Sequence, residues 1–351
     1  MTPKISVLLA SYNHAPFVRE AVESVLTQSF ADFELVITDD GSVDGTADVI
    51  RGISDPRICF HAFPENRGAC VALNDAIGRA RGEYVAVLNS DDYFLPGKLE
   101  RQVAFLDMRP DIGAVFGLPR FVDERGALLP AGSHAFAKLF TAENLPRHGW
   151  LRHFFLNGNC LCHPTVMLRR SCYDVVGLFD PLLMQLPDLD MWVRLCTRFD
   201  VHIQPEEVTA FRVLGRERNV SAPSLLKRVR SAWELPTVLA HYAVLPDAEI
   251  RAVFADLPGI EGMPVPALAL ALEAIRIDQP GYRQFGLGLL RDCMRRDARA
   301  FPCRDYFQLV GKIDPCAVRF SGQVHRCLAD SRLFATALKA AHWLCTPWSR
   351  S

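Results

Sequence analysis

Between Ile5 and Leu88 the chain alternates short apolar runs with stretches whose apolar residues recur every three or four positions. The runs "ISVLLA" (Ile5 to Ala10), "FELVIT" (Phe33 to Thr38) and Tyr84 to Leu88 read as buried strands, with a shorter strand around Ile58 to His61. "PFVREAVESVLTQ" (Pro16 to Gln28) sets Phe17, Ala21 and Val25 on one face and reads as a helix, with Pro16 suited to its first turn. "TADVIRGI" and "GACVALNDAIGRA" read as the next two helices. Strand and helix at this rhythm predict an α/β fold with a mostly parallel sheet covered on both faces. Such sheets take their ligands beyond the carboxyl ends of the strands.

After Leu99 the rhythm loosens. The pattern predicts a helix over "GKLERQVAFLDM", a strand at "GAVFG", a Gly- and Pro-punctuated region to about Trp150, a strand at "TVMLRR" and a helix from "DLDMWVRLCTRF". Past "SAPSLL" the chain reads as helical with proline interruptions. The expected organisation is a sheet-containing domain over residues 1–220 and an α-helical C-terminal appendage over residues 221–351.

Composition narrows the function classes. Half of the 351 residues are hydrophobic, and the formal net charge of -1 provides no global field to gather nucleic acid. The 11 cysteines include no CxxC pair. Cys160, Cys162 and His163 come closest to metal-ligand spacing but lack a second half-site, so the thiols read as reduced core residues. The N-terminal apolar run is far shorter than that of a signal peptide, and no run reaches the ~20 apolar residues needed to span a bilayer. The expectation is a cytoplasmic protein.

Two predicted strands end in paired acids, Asp39 and Asp40 in "LVITDDGSVDGT" and Asp91 and Asp92 in "VAVLNSDD". Adjacent carboxylates repel and push one pKa up, an objection that a divalent cation removes. Mg and Mn bind through one or two carboxylates together with substrate phosphates, and strand-end acids suit them. In the first motif Gly41 permits a turn, Asp44 or Ser42 can cap a helix and Thr46 opens it.

The segments "ISVLLASYNHAPFVREAVESVLTQSFADFELVITDDGSVDGTADVI", "ENRGACVALNDAIGRARGEYVAVLNSDDYFLPGKLE" and "CHPTVMLRR…GLFDPLLMQLPDLDMWVRL", in this order, resemble the bacterial family 2 glycosyltransferases of GT-A fold. The resemblance covers about residues 4 to 215. It implies a Rossmann-like nucleotide-diphospho-sugar transferase fold and inverting transfer from a nucleotide-diphospho sugar, usually a UDP-sugar, with Mn or Mg. The implied acceptor is a hydroxyl of a saccharide or lipid-linked molecule in cell-envelope polysaccharide or glycoconjugate synthesis. Carried over by position, Ala10 and Tyr12 contact the nucleoside, Asp40 accepts from the base, and Arg67 lies near the base or diphosphate. Asp91 and Asp92 match the metal motif, with Asp92 as direct ligand and Asp91 facing ribose or water.

Inverting transfer needs a base opposite the leaving diphosphate. The resemblance places it at Asp188, while Asp190 falls in the first helical turn, where an acid suits the helix dipole. Two positions depart from the family pattern: Pro187 stands where many relatives carry an acid, and Leu214 where many carry a histidine facing the metal. Arg212 or Arg216 could then neutralise the diphosphate, and His163 falls near the acceptor region. Basic residues between Arg291 and Arg350, beside Leu, Phe and Trp, suit a peripheral contact with an anionic membrane. Two other readings compete: a sugar-phosphate nucleotidyltransferase, whose Gly-rich phosphate loop is missing from "LLASYNHAPF", and a non-catalytic nucleotide-sugar-binding scaffold.

Overall fold

The computed structural model describes residues 2–296 apart from 131, 133–134, 215–224, 258, 264 and 278. The chain divides into a unit Met1–Leu290 and a unit Arg291–Ser351. Most of the basic C-terminal residues, from Arg299 onward, lie outside the described residues, as does Arg216.

The first unit opens with β1 (Ile5–Ser11), α1 (Val18–Leu26), β2 (Phe33–Asp39), α2 (Thr46–Arg51), β3 (Ile58–Ala62), α3 (Ala69–Arg79) and β4 (Tyr84–Asn89). It continues through β5 (Tyr93–Phe94), α4 (Lys98–Met108), β6 (Ile112–Val122), α5 (Arg147–Asn157), β7 (Met167–Arg169), α6 (Ser171–Val176), α7 (Pro187–Cys196) and β8 (Asp200–Arg212). Then come α8 (Leu225–Ala243), α9 (Asp247–Val253) and α10 (Pro266–Arg276), and α11 (Pro280–Arg296) runs on past the boundary. A short 3₁₀ turn at His163–Thr165 precedes β7.

The strands form one sheet in the order β3-β2-β1-β4-β7-β6-β8-β5. β3, β2, β1 and β4 are mutually parallel, as the alternating pattern predicts. Beyond β4 the sheet is mixed, because β7 runs antiparallel to both β4 and β6, and β5 antiparallel to β8. β2, β1 and β4 are buried on both faces, which is why they read as unbroken apolar runs, whereas β3 at the sheet edge is partly exposed. Leu8, Val36, Val85 and Val87 face one core, with Ala76 of α3, Trp150 and Phe154 of α5 and Trp192 of α7. Val7, Leu9, Leu35, Ile37, Ala86 and Leu88 face the other, with Val22 of α1 and Leu99 of α4.

Four elements escape the sequence pattern, the short α6 among them. α5 buries Trp150, Leu151, Phe154 and Phe155, a clear helical spacing that the flanking Gly and Pro residues obscure. β8 is interrupted by the exposed "PEE" at its middle, where its register against β6 also shifts. β5 has two residues. Pro16 lies two residues ahead of α1, outside its first turn. Pro266 and Pro280 open helices, where a missing N–H costs nothing, and Pro236 sits inside α8.

Candidate active site

β1, β2 and β4 end in register: Ala10 lies opposite both Thr38 and Asn89, and Ser11 opposite Asp39. Their carboxyl ends therefore bring together the loop after β1 and both acidic pairs. Asp39 is buried and ties two of these ends, with Oδ1 accepting from the hydroxyls of Ser11 (2.8 Å) and Ser42 (2.6 Å) and Oδ2 from the Ser42 N–H (2.9 Å). Asp40 takes the backbone N–H of Arg67 on one oxygen (2.7 Å) and of Gly68 on the other (2.9 Å), fixing the loop that starts α3. Burial still leaves its carboxyl above the usual range, since these bonds offset the desolvation only in part. Gly41 makes the close approach possible: its φ is +69°, and an added Cβ would stand 2.3 Å from the carbonyl carbon of Glu65. Asp44 accepts from the Ala15 N–H (3.0 Å) and the Thr46 N–H (3.0 Å), so it secures the start of α2 and the loop after β1 at once.

The second pair divides its labour. Asp92 is 2 % exposed, and both its oxygens are committed, Oδ1 to the Arg212 N–H at 2.7 Å and Oδ2 to the Asn89 amide at 2.9 Å. The Asp91 carboxylate is partly exposed and, among the described residues, meets only its own backbone N–H. Burial pushes both carboxyls up, Asp92 the further because the Asp91 charge adds to the desolvation. His14 pulls Asp91 the other way; its Nδ1 lies 2.8 Å from the Ser90 hydroxyl, on the loop after β1. Beneath the pair lies Arg212, 2 % exposed, which donates to the Asp91 carbonyl (2.8 Å), the Glu124 carbonyl (2.8 Å) and the Glu20 carboxylate, and stacks on Phe17 and Tyr93. Its guanidinium is occupied by the fold, so it braces the strand ends and does not reach outward to a diphosphate.

Across the sheet end, α7 begins at Pro187, a residue suited to the first helical position. Asp188 follows with a one-third exposed side chain, and its Oδ1 lies 3.4 Å from His163 Nδ1. The His163 ring packs on Trp192 and Phe179, and its Nε2 is buried without a partner. Asp190 differs in being 2 % exposed and fully committed: Arg194 holds Oδ2 through two N–H groups (2.6 and 2.9 Å), and His241 of α8 meets Oδ1 at 2.7 Å. Burial works against its ionisation, yet His241 and Arg194 hold the carboxyl below the usual range. Burial pushes the Cys162 thiol well up, and the charges of Asp92 and Asp188 both act in the same direction. The turn carrying His163 is held from below by the buried Lys98 and by Gln102, each donating to the Thr165 carbonyl at 2.8 Å, and by the Thr209 hydroxyl on the Pro164 carbonyl at 2.8 Å.

This geometry can be compared with known proteins. Residues 6–176 match the family described as Glycosyl transferase family 2. A putative teichuronic acid biosynthesis glycosyltransferase, TuaG of Bacillus subtilis, is 44% identical over 234 residues, 66% of this chain and 86% of that protein. The chain belongs to glycosyl transferase family 2. The fold is that of S. aureus TarS, solved in complex with UDP-GlcNAc, with a TM-score of 0.58 at 18% identity over 87% of this chain and 90% of the other. The mannosyltransferase PcManGT of Pyrobaculum calidifontis, in complex with GDP-Man and Mn2+, has a TM-score of 0.52 at 19% identity over 83% of this chain and 86% of the other.

Family membership settles the class among the three readings: this glycosyltransferase is an enzyme of group transfer on a GT-A fold. Ala10 and Tyr12 stand at the end of β1, with Tyr12 43% exposed. Arg67 meets Asp40 through its backbone, and its exposed side chain lies over the Phe63 ring. Leu214 is buried, two residues beyond β8. Sequence reasoning passed over His14, whose signal is its place just after the first strand, and Glu20, which has no local signal. Among the described residues no cluster of three metal-ligating side chains exists, and no helix is long and apolar enough to cross a membrane.

Proposed function

We propose that this glycosyltransferase transfers a sugar, with inversion, from a nucleotide-diphospho sugar to an acceptor hydroxyl, with Asp188 as general base and Asp91 as the carboxylate on the diphosphate side. One observation carries the reading. Asp39, Asp40, Asp44, Asp92 and Asp190 each have both oxygens held by hydrogen bonds from other residues, whereas among the described residues the Asp91 carboxylate meets only its own backbone N–H and Asp188 has one histidine at 3.4 Å. An acid that chemistry uses must have a lone pair to spare, and these two do.

In the reaction the acceptor oxygen bonds to the anomeric carbon while the bond from that carbon to the diphosphate oxygen breaks. The hydroxyl proton passes to Asp188, and the electron pair leaves with the nucleoside diphosphate. A base held within reach contributes about 10²–10⁴-fold. Asp188 is open enough to meet an acceptor, and the buried ring of His163 beside it restricts its rotamers.

A divalent cation fits the Asp91 side: His14 and Arg212 only partly offset the desolvation of a carboxylate that no other described residue's donor holds, and Mg or Mn commonly takes one or two carboxylates with substrate phosphates. Asp91 would hold it, with Asp92 fixing the backbone behind, and the ion would supply charge neutralisation at the departing diphosphate. Ala10 and Tyr12 at the end of β1 and the loop fixed by Asp40 offer the nucleoside a backbone edge and an aromatic face. TarS is solved with UDP-GlcNAc and PcManGT with GDP-Man and Mn2+ on the same fold, which supports a nucleotide-sugar donor. TuaG, named for teichuronic acid biosynthesis, supports a cell-envelope glycan as acceptor.

The test is calorimetry with UDP-, GDP- and dTDP-sugars, each with and without Mn and Mg. One donor class should bind, more tightly with metal, and Asp91→Asn should lose the metal-dependent part. A panel in which no nucleotide sugar binds overturns the proposal.

A further inference from the structure

The segment that delivers Asp188 is held from a helix far along the chain. Glu234 of α8 accepts three consecutive backbone N–H groups ahead of α7: Met184 on Oε1 at 3.0 Å, and Gln185 and Leu186 on Oε2 at 2.8 Å each. Charge-assisted bonds of this kind are roughly twice as strong as neutral ones. Leu186 is the N-cap of α7, and Pro187 after it has no N–H to offer. The rest of the segment is loosely covered, with Leu182 86% and Met184 55% exposed. Three other ties reach it from neighbouring elements: Asn74 of α3 brackets Phe179 through its amide, the Cys70 thiol donates to the Leu183 carbonyl at 3.4 Å, and Arg230 of α8 donates to the Met184 sulfur at 3.0 Å.

Two turns on from Glu234, on the same face of α8, His241 meets Asp190. α8 thus grips the backbone before Asp188 and the side chain after it. Asp190 needs no precision of its own, since Arg194 already holds it. Asp188 has no backbone tie of this strength other than the one Glu234 makes two residues ahead.

We propose that Glu234 is a positioning residue for the base: by collecting the Met184, Gln185 and Leu186 amides it sets the point from which Asp188 projects toward the acceptor. This rests on the reading of Asp188 as base. Misplacing a reacting group by about 1 Å costs on the order of 10²-fold. Losing the clamp therefore slows the chemical step without touching the nucleotide side, which is built on β1, β2 and β4.

The experiment uses the full chain, the donor selected by the calorimetric panel, and release of nucleoside diphosphate to water or acceptor as readout. Glu234→Ala should lower kcat about 10- to 100-fold, Glu234→Gln less because it retains one acceptor oxygen, and both should bind donor within about twofold of wild type. Since Glu234 acts through Asp188, Asp188→Ala and Asp188→Ala/Glu234→Ala should turn over equally. A folded Glu234→Gln or Glu234→Ala protein with wild-type kcat overturns the proposal, as does a double variant slower than Asp188→Ala by the full factor of the single substitution. Wild-type turnover by Asp188→Ala overturns the base reading itself and the positioning role with it. If Glu234→Ala does not fold, Glu234→Gln decides alone.

Discussion

The backbone N–H of Arg212 donates to Asp92 Oδ1 over 2.7 Å, across 120 residues of chain. That bond joins the last residue of β8 to the turn after β4, and the Arg212 side chain returns to the Asp91 carbonyl from the same place. One carboxylate of the pair is thereby consumed by the fold, and its neighbour's is held by no other described residue.

The two acids should therefore fail in different ways. Asp92→Ala orphans the Arg212 N–H and the Asn89 amide, and each unsatisfied buried group costs about 1–3 kcal/mol. Urea unfolding should show a loss on the order of 3 kcal/mol. Asp91→Asn should unfold at or above the wild-type midpoint, because burial already disfavours its charge, while metal-dependent donor binding is lost. Equal stability losses in both would refute the division.

On α7 the same contrast predicts a split between catalysis and acid stability. Asp188→Asn should lower kcat by about 10²–10⁴-fold with donor affinity unchanged by calorimetry. Asp190, whose carboxyl His241 and Arg194 hold low, contributes stability that is present above the ordinary aspartate pKa and is lost as pH falls through its depressed folded value. The gap in unfolding free energy between wild type and Asp190→Asn should close on acidification.

Lys98 predicts a slope of the opposite origin. Fully buried beneath the His163 turn, its amine is pushed well below the usual lysine value by desolvation. The unfolded chain then binds the extra proton from that depressed value up to 10.5, so Lys98 makes stability rise with pH across the window. Lys98→Met should remove that rise in denaturant titrations on the alkaline side. An unchanged slope would place the charge elsewhere.

Gly41→Ala tests the nucleotide side. A side chain at φ +69° is strained, and its Cβ would meet the Glu65 backbone at 2.3 Å, so the turn must open. We expect a loss of about 1–3 kcal/mol and weaker donor binding, because the loop held by Asp40 shifts with it. Thermal unfolding together with donor calorimetry measures both.

Much of this was legible in the chain before folding. The strands β1, β2 and β4 are written as apolar runs because each is buried on both faces. The turn at "DDGSVDGT" is written in its glycines and short polar residues, which act within a few positions. β8 was not legible, since its exposed "PEE" breaks the alternation. β7 betrays no antiparallel sense in its residues, because direction depends on the path of the preceding loop.

The sequence by itself determined the parallel half of the sheet and the acids at its carboxyl ends, since local spacing and burial specify both. Only the tertiary structure decided which acids are free. One oxygen each of Asp40, Asp92 and Asp190 is committed by Arg67, Arg212 and His241, which lie 27, 120 and 51 residues away. A carboxylate's role depends on which donors reach it, and donors that distant in the chain reach it only through packing.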